Sequence, residues 1–318
     1  MSVSTRPTDR AWLIYSRDIM AAYGIGVDLG GTRIKAVAVT GDGEVLGRET
    51  RASHDEHSSI GSCAETIRRL ISGLESAQTE AAISVGLATP GLIAADSRSV
   101  ACCPGKLAGI EGFDWSSALG RKETVLLLND AYAALVGEHW LGAARGFQNA
   151  ILMTLGTGVG GAILSEGRLL RGAHGRAGIL GHMSLDPFGV KGCFTVPSPL
   201  EDWIGEQTVA ERTGGRFRSS EELVRGVRDA DASAQAAWRK SIRALAVAIA
   251  SYGLILDVEA VILGGGIAQA GADLFEPLAR ELDEVEWRPG GMKMEIVPAS
   301  LGSWAGAIGA AKNAIDAT

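Results

Sequence analysis

Gly24-Ile25-Gly26-Val27-Asp28-Leu29-Gly30-Gly31-Thr32-Arg33-Ile34-Lys35-Ala36-Val37-Ala38-Val39 is the stretch whose reading decides the fold. Two apolar runs flank a tight Gly-Gly turn. The first, Gly24–Leu29, predicts a buried strand, and the second, Ile34–Val39, its hairpin partner. A turn at Gly41-Asp42-Gly43 leads to a third strand, Val45–Thr50, so the chain opens as a three-stranded meander. At the first turn an acidic side chain, Asp28, ends a strand just before two glycines and the hydroxyl of Thr32. Backbone N–H groups in such a turn cradle phosphate oxygens. The nearby carboxylate suits Mg²⁺ held through water, because Mg²⁺ keeps much of its hydration. A plain Gly-Gly hairpin with Asp28 in a local turn bond fits the same residues.

Outward from this stretch, residues 58–77 carry Ile60, Cys63, Ile67, Leu70, Ile71 and Leu74 at helical spacing. A strand at Ala82–Ala88 breaks at Thr89-Pro90-Gly91. The run Val125–Leu128 ends in Asn129-Asp130 and passes into a helix, Ala131–Trp140. An Asn-Asp pair there is what ordinary N-capping produces. It also suits a cleft floor, with Asp130 accepting a proton from an attacking hydroxyl and Asn129 orienting the substrate. The plan then recurs: Ala150–Leu155, the turn Gly156-Thr157-Gly158, and Gly161–Leu164 predict a second hairpin. A long helix (230–256), a strand Val258–Leu263 ending in Gly264-Gly265-Gly266, and a further helix follow. The halves echo each other, which predicts duplicated α/β domains facing across a cleft. Gly156, Gly158 and Gly161 satisfy a G-x-G-x-x-G spelling, but a dinucleotide site needs that motif to open a helix. Here a strand continues, and a phosphate-cradling hairpin turn fits better.

The 318 residues suffice for two domains, 46% of them apolar and 21% charged, as in a globular protein. The net charge is −7 with interspersed signs, and there is no basic block with interleaved aromatics, so nucleic acid is not an expected partner. Cys63, Cys102, Cys103 and Cys193 form no C-x-x-C pair, which fits free thiols in a reducing cytoplasm. No apolar stretch reaches the roughly 18 residues of a membrane span. Residues 1–19 read as a flexible leader or an overlong start, and not as a signal peptide.

Taken together and in order, these segments resemble the ROK family of sugar kinases from about Gly24 to Ala311. Asp28–Lys35 looks like the family's first phosphate loop and Leu155–Gly161 its second. Leu128-Asn129-Asp130 is similar to the segment with the catalytic base, and Val261–Ile267 to the glycine-rich segment beside the adenosine. The resemblance implies an actin-like, ribonuclease H-like α/β fold of two lobes, 20–128 with 303–318 and 129–302. It implies ATP bound by Asp28, Gly30, Gly31, Thr32, Lys35, Gly156, Thr157, Gly158, Gly264, Gly265 and Gly266, with Asp28 serving Mg²⁺. It assigns Asn129, Asp130, His182 and Glu201 to the sugar, Asp130 as base, and it implies a homodimer.

The chain departs from the family at its Glu-x-Gly-His motif and the C-x-C-G-x-x-G-C-x-E run after it. Gly181-His182 and Glu201 are kept. The motif's Glu is Ile179 here, and the three expected zinc cysteines fall on Gly192, Phe194 and Pro199. Zinc needs about four N or S ligands, and with His182 alone in register no structural zinc is expected. Pro197 and Pro199 can stiffen the loop instead. Lys106, where relatives place a sugar-contacting Asn, either meets an acidic substituent or is solvated. The expected activity is ATP-dependent phosphorylation of a hexose or amino sugar. The alternative is a sugar-binding regulatory or catalytically weak ROK-type protein. A DNA-binding repressor is disfavoured, since only about twenty residues precede Gly24.

Overall fold

The structure, a computed structural model, describes residues 22–53, 59–105, 107–192 and 195–318. The leader, Lys106, Cys193 and Phe194 lie outside the described residues. The chain opens with β1 (Tyr23–Leu29), β2 (Arg33–Thr40), β3 (Val45–Ala52), α1 (Ile60–Ser76) and β4 (Ser84–Thr89). A small ribbon, β5 (Leu92–Ile93) and β6 (Val100–Cys102), and the short α2 (Trp115–Ala118) precede β7 (Leu126–Asn129) and α3 (Asp130–Leu141). The second half runs β8 (Ala150–Leu155), β9 (Val159–Ser165), β10 (Arg168–Leu169), α4 (Leu200–Ile204), α5 (Val209–Arg212), α6 (Ser220–Arg228) and α7 (Ala232–Leu256). It ends with β11 (Ala260–Gly264), α8 (Ala272–Val285), β12 (Glu295–Pro298) and α9 (Ala305–Ile315).

The two large sheets have the orders β3-β2-β1-β4-β7 and β10-β9-β8-β11-β12. In each, three strands form an antiparallel meander and two more join in parallel beside the first. The echo expected from the sequence is a strand-for-strand match.

Strand side chains alternate between faces, and that period assigns the layers. Ile25, Val27 and Leu29 pack with Ile67, Leu70 and Leu74 of α1 on the outer face of the first sheet. Ile151, Met153 and Leu155 pack with α7 and α8 residues on the outer face of the second. Ala150, Leu152, Ala260 and Ile262 turn inward to a central layer with Tyr132 and Leu135 of α3 and Ala305 and Ala310 of α9. On β1 the inward positions are Gly24, Gly26 and Asp28. A Cβ at Gly26 would stand 1.9 Å from the Ala307 carbonyl oxygen, and one at Gly86 on β4 would stand 1.9 Å from that of Ala310. These bare positions let α9 lie directly on the first sheet.

Four of the strands, β5, β6, β10 and β12, and the short helices α2 and α4 to α6 were not expected from the pattern. β12 is a four-residue edge strand ending in a proline, and two- or three-residue strands carry no readable alternation. Among the described residues no helix is long and apolar enough to cross a membrane.

Candidate active site

The parallel strands β1, β4 and β7 end on one side of their sheet, as do β8, β11 and β12 of theirs. Ligands of open α/β sheets bind beyond such carboxyl ends. Asp28, Asn129-Asp130, Gly156-Thr157-Gly158 and Gly264-Gly265-Gly266 all stand at these ends.

Asp28 is half-buried on the α9 side of β1. Gly306, in the first turn of α9, leaves room for it: a Cβ there would be 3.0 Å from the Asp28 Cγ. Burial pushes the Asp28 carboxyl up to about 6 from an ordinary 3.8. Lys35, opposite it on β2, pulls down, and Asp130 pushes further up. The two carboxylates therefore feel each other. Such a crowded, half-desolvated carboxylate suits a cation. In the adjoining turn the Gly30 N–H donates to Arg33 O at 3.1 Å, while Gly31 and Thr32 are exposed.

Asn129 caps α3. Its Oδ1 accepts from Ala131 N–H at 3.0 Å, and its Nδ2 donates to Gly91 O at 3.1 Å. The capping reading of this residue is the one these bonds carry, and they fix it at the strand end. Asp130 is exposed in the first turn of α3, its Oδ1 accepting from Ala131 N–H at 2.8 Å.

The second turn is backed by Glu201. Its Oε2 accepts from Val159 N–H at 3.3 Å, and its Oε1 lies 3.7 Å from His182 Nε2. Gly158 makes the approach possible, because a Cβ there would stand 2.4 Å from Glu201 Oε2. Gly160 brings in α3, with its would-be Cβ 3.5 Å from that of Ala131. The Tyr132 hydroxyl donates to Ala177 O and to Gly175 O, and so ties α3 to the segment leading into Ile179-Leu180-Gly181-His182. The four residues assigned to the sugar thus fall into two pairs joined through the first turn of α3.

A cavity of about 520 Å³ opens beside the second turn, lined by Gly156, Thr157, Gly266, Glu206, Val224 and Gln269 among others. Gly265, at φ +89°, bends the chain where only glycine is unstrained, and a Cβ there would be 2.3 Å from Leu155 O. The α6 wall of this cavity, Glu206 and Tyr132 were missed in the sequence. Tyr132 reads as one more apolar helix residue, and α6 carries no motif.

Ile179 is half-buried at the start of the 3₁₀ turn Leu180–His182. Gly192, the first expected zinc-cysteine position, has no room for a side chain: a Cβ would be 2.2 Å from Asp202 Oδ2. Ser184 Oγ donates to Pro197 O at 2.6 Å and Trp203 Nε1 to Ser198 Oγ at 2.9 Å, which holds this loop by hydrogen bonds. Among the described residues no group of three or more His, Cys, Asp or Glu is placed to hold a metal ion.

The same architecture occurs in solved structures. A ROK hexokinase from Thermus thermophilus matches with a TM-score of 0.82 and 28% identity, over 93% of this chain and 98% of that one. A ROK family glucokinase from Streptomyces griseus, in complex with glucose and AMPPNP, matches with a TM-score of 0.75 and 25% identity, over 93% and 100%. Fold and site together define a carbohydrate kinase of the actin-like, two-lobed type. Residues 24–317 match the model of the ROK family, and the chain belongs to that family. Among its relatives is a glucokinase from Thermotoga maritima, 32% identical over 309 residues, covering 90% of this chain and 95% of the relative.

Proposed function

We propose that the chain transfers the γ-phosphoryl group of ATP to a hydroxyl of a hexose or amino sugar, with Asp130 as general base. The observation that carries this is the placement of Asp28 and Asp130 at the carboxyl ends of β1 and β7 in one sheet, near enough for the Asp130 charge to raise the Asp28 carboxyl. The lobes run from 20 to 128 with 303–318, and from 129 to 302. Asp130 takes the proton of the attacking hydroxyl, Asn129 orients that end of the sugar, and His182 with Glu201 holds other hydroxyls. The two glycine turns carry the phosphates, and the cavity between the second turn, Gly266 and α6 takes the adenosine. Mg²⁺ bound near Asp28 supplies charge neutralisation on the phosphates. With Gly192, Phe194 and Pro199 at the zinc-cysteine positions, the protein is expected to fold without zinc. The test is ADP formation over a panel of hexoses and amino sugars. ATP binding with no sugar-dependent ADP formation would favour a regulatory sugar-binding protein instead.

The nucleotide assignment has its own check. Gly158→Val drives a side chain into Glu201, and Gly265→Val combines a forbidden φ with a clash on Leu155. Each is expected to weaken ATP binding at least about tenfold, or about 1.4 kcal/mol. Unchanged ATP affinity in both variants, measured by calorimetry, would remove these turns from the nucleotide site.

Ile179 sets the specificity. A hydroxyl that meets isoleucine in place of a carboxylate is left unpaired, at about 1–3 kcal/mol or about 5- to 150-fold in affinity. Glucose is therefore expected to be a poor substrate, and a sugar lacking that hydroxyl, or less polar there, a better one. Ile179→Glu is expected to raise kcat/KM for glucose or N-acetylmannosamine by a factor in that range. Efficient glucose phosphorylation by the unaltered protein, with no gain from Ile179→Glu, would show that another group already serves the hydroxyl.

A further inference from the structure

Glu138 lies two turns beyond Asp130 on α3 and is fully buried. Its carboxylate gathers four donors. Oε1 accepts from Leu301 N–H at 2.8 Å. Oε2 accepts from Ala143 N–H at 2.7 Å and from both the N–H and the hydroxyl of Ser300 at 3.1 Å. Gly142 makes room for the carboxylate, since a Cβ there would stand 2.1 Å from Oε2. Ser300 and Leu301 lie between β12 and α9. One side chain therefore ties the last turn of α3 to the segment that launches α9.

The other contacts of these helices lead to the site. α3 begins with Asp130, and Gly306 in the first turn of α9 lies against Asp28. The helices cross backbone to backbone. A Cβ at Gly137 would be 2.4 Å from Ala305 O, and one at Gly309 would be 1.7 Å from Ala133 O. No side-chain layer cushions a shift at this crossing.

We propose that Glu138 is a positioning residue for phosphoryl transfer, holding α3 and α9 in the one relation that spaces Asp130 from Asp28. This rests on the roles given to those two aspartates above. The N–H groups of Ala143, Ser300 and Leu301 require an acceptor whatever the chemistry nearby. A carboxylate that collects donors from two chain segments fixes one register between them. The eight residues from Asp130 to Glu138 span about 12 Å of helix, and a misplacement of about 1 Å at reacting groups costs about 10²-fold in rate.

The test compares kcat, on the best sugar of the panel, for wild type, E138Q, D130N and the double variant. Circular dichroism confirms that each is fully folded at the assay temperature. The glutamine amide turns N–H groups toward N–H donors, so E138Q is expected to lose about 10- to 100-fold in kcat with both KM values within about threefold. The double variant is expected to stay within about threefold of D130N, because Glu138 acts through the base. If E138Q does not fold, Gly142→Ala, which displaces the carboxylate, and Ser300→Ala, which removes one donor, are measured in its place. Multiplicative effects, or wild-type kcat in folded E138Q beside an impaired D130N, would overturn the inference alone. Wild-type kcat in D130N would overturn the base assignment and this inference with it.

Discussion

Asp130→Asn is expected to lower kcat by about 10²–10⁴-fold and to leave ATP affinity largely intact. The substitution is close to isosteric. The new Oδ1 can still accept from Ala131 N–H, so the start of α3 should persist. What disappears is an oxygen able to take the proton of the attacking hydroxyl. A second effect follows from the neighbouring carboxylate: without the Asp130 charge, one of the pushes that raise Asp28 is gone. The acid limb of the pH–rate profile is therefore expected to move to lower pH in this variant. Steady-state kinetics at saturating sugar and ATP, with calorimetry for nucleotide, checks all three points. Near-normal turnover would remove Asp130 from the chemistry.

Asp28→Asn is expected to make the nucleotide-free protein more stable and a poorer binder of MgATP. The folded protein raises the Asp28 carboxyl from 3.8 to about 6, so it prefers the neutral form. That preference contributes stability below about pH 4, and the contribution is lost as pH rises through about 6. A rise of this size corresponds to about 3 kcal/mol of strain in the ionised state at pH 8. Asparagine removes this strain, so Tm should rise at pH 8 and hardly change at pH 4. MgATP affinity should fall at least about tenfold. Equal Tm changes at the two pH values would mean that no buried charge is being relieved. On the role proposed for Asp28, stability is given up here for MgATP binding.

Both glycine-turned hairpins were legible because each joins two apolar strands through glycines, a local pattern. β8 matches its expected span, Ala150–Leu155, residue for residue. The alternation that puts Asp28 on one face with Gly24 and Gly26 was visible in β1, yet its meaning required α9, which lies far along the chain. Asn129 stands in the structure as a helix cap, and a local sequence pattern alone does not separate a cap from a substrate-orienting residue. Glu138 and Tyr132 were illegible for a different reason. Each sits among apolar helix residues, and bonds backbone atoms of a distant segment. The cavity beside the second turn is a matter of shape, assembled from Gly156, Gly266 and the motif-free α6.

Each half of the molecule ends in a helix that covers the inner face of the other half's sheet: α3 follows β7 and packs on β8 and β9, while α9 follows β12 and packs on β1 and β4. This exchange governs the order of events on the ribosome. The first sheet is complete once β7 has been made, but its cover begins about 175 residues later. At about 5–20 residues per second, that sheet waits some 10–35 s with Gly26 and Gly86 facing no partner. Neither half can reach its final packing alone, and the last helix to emerge closes the first sheet that formed.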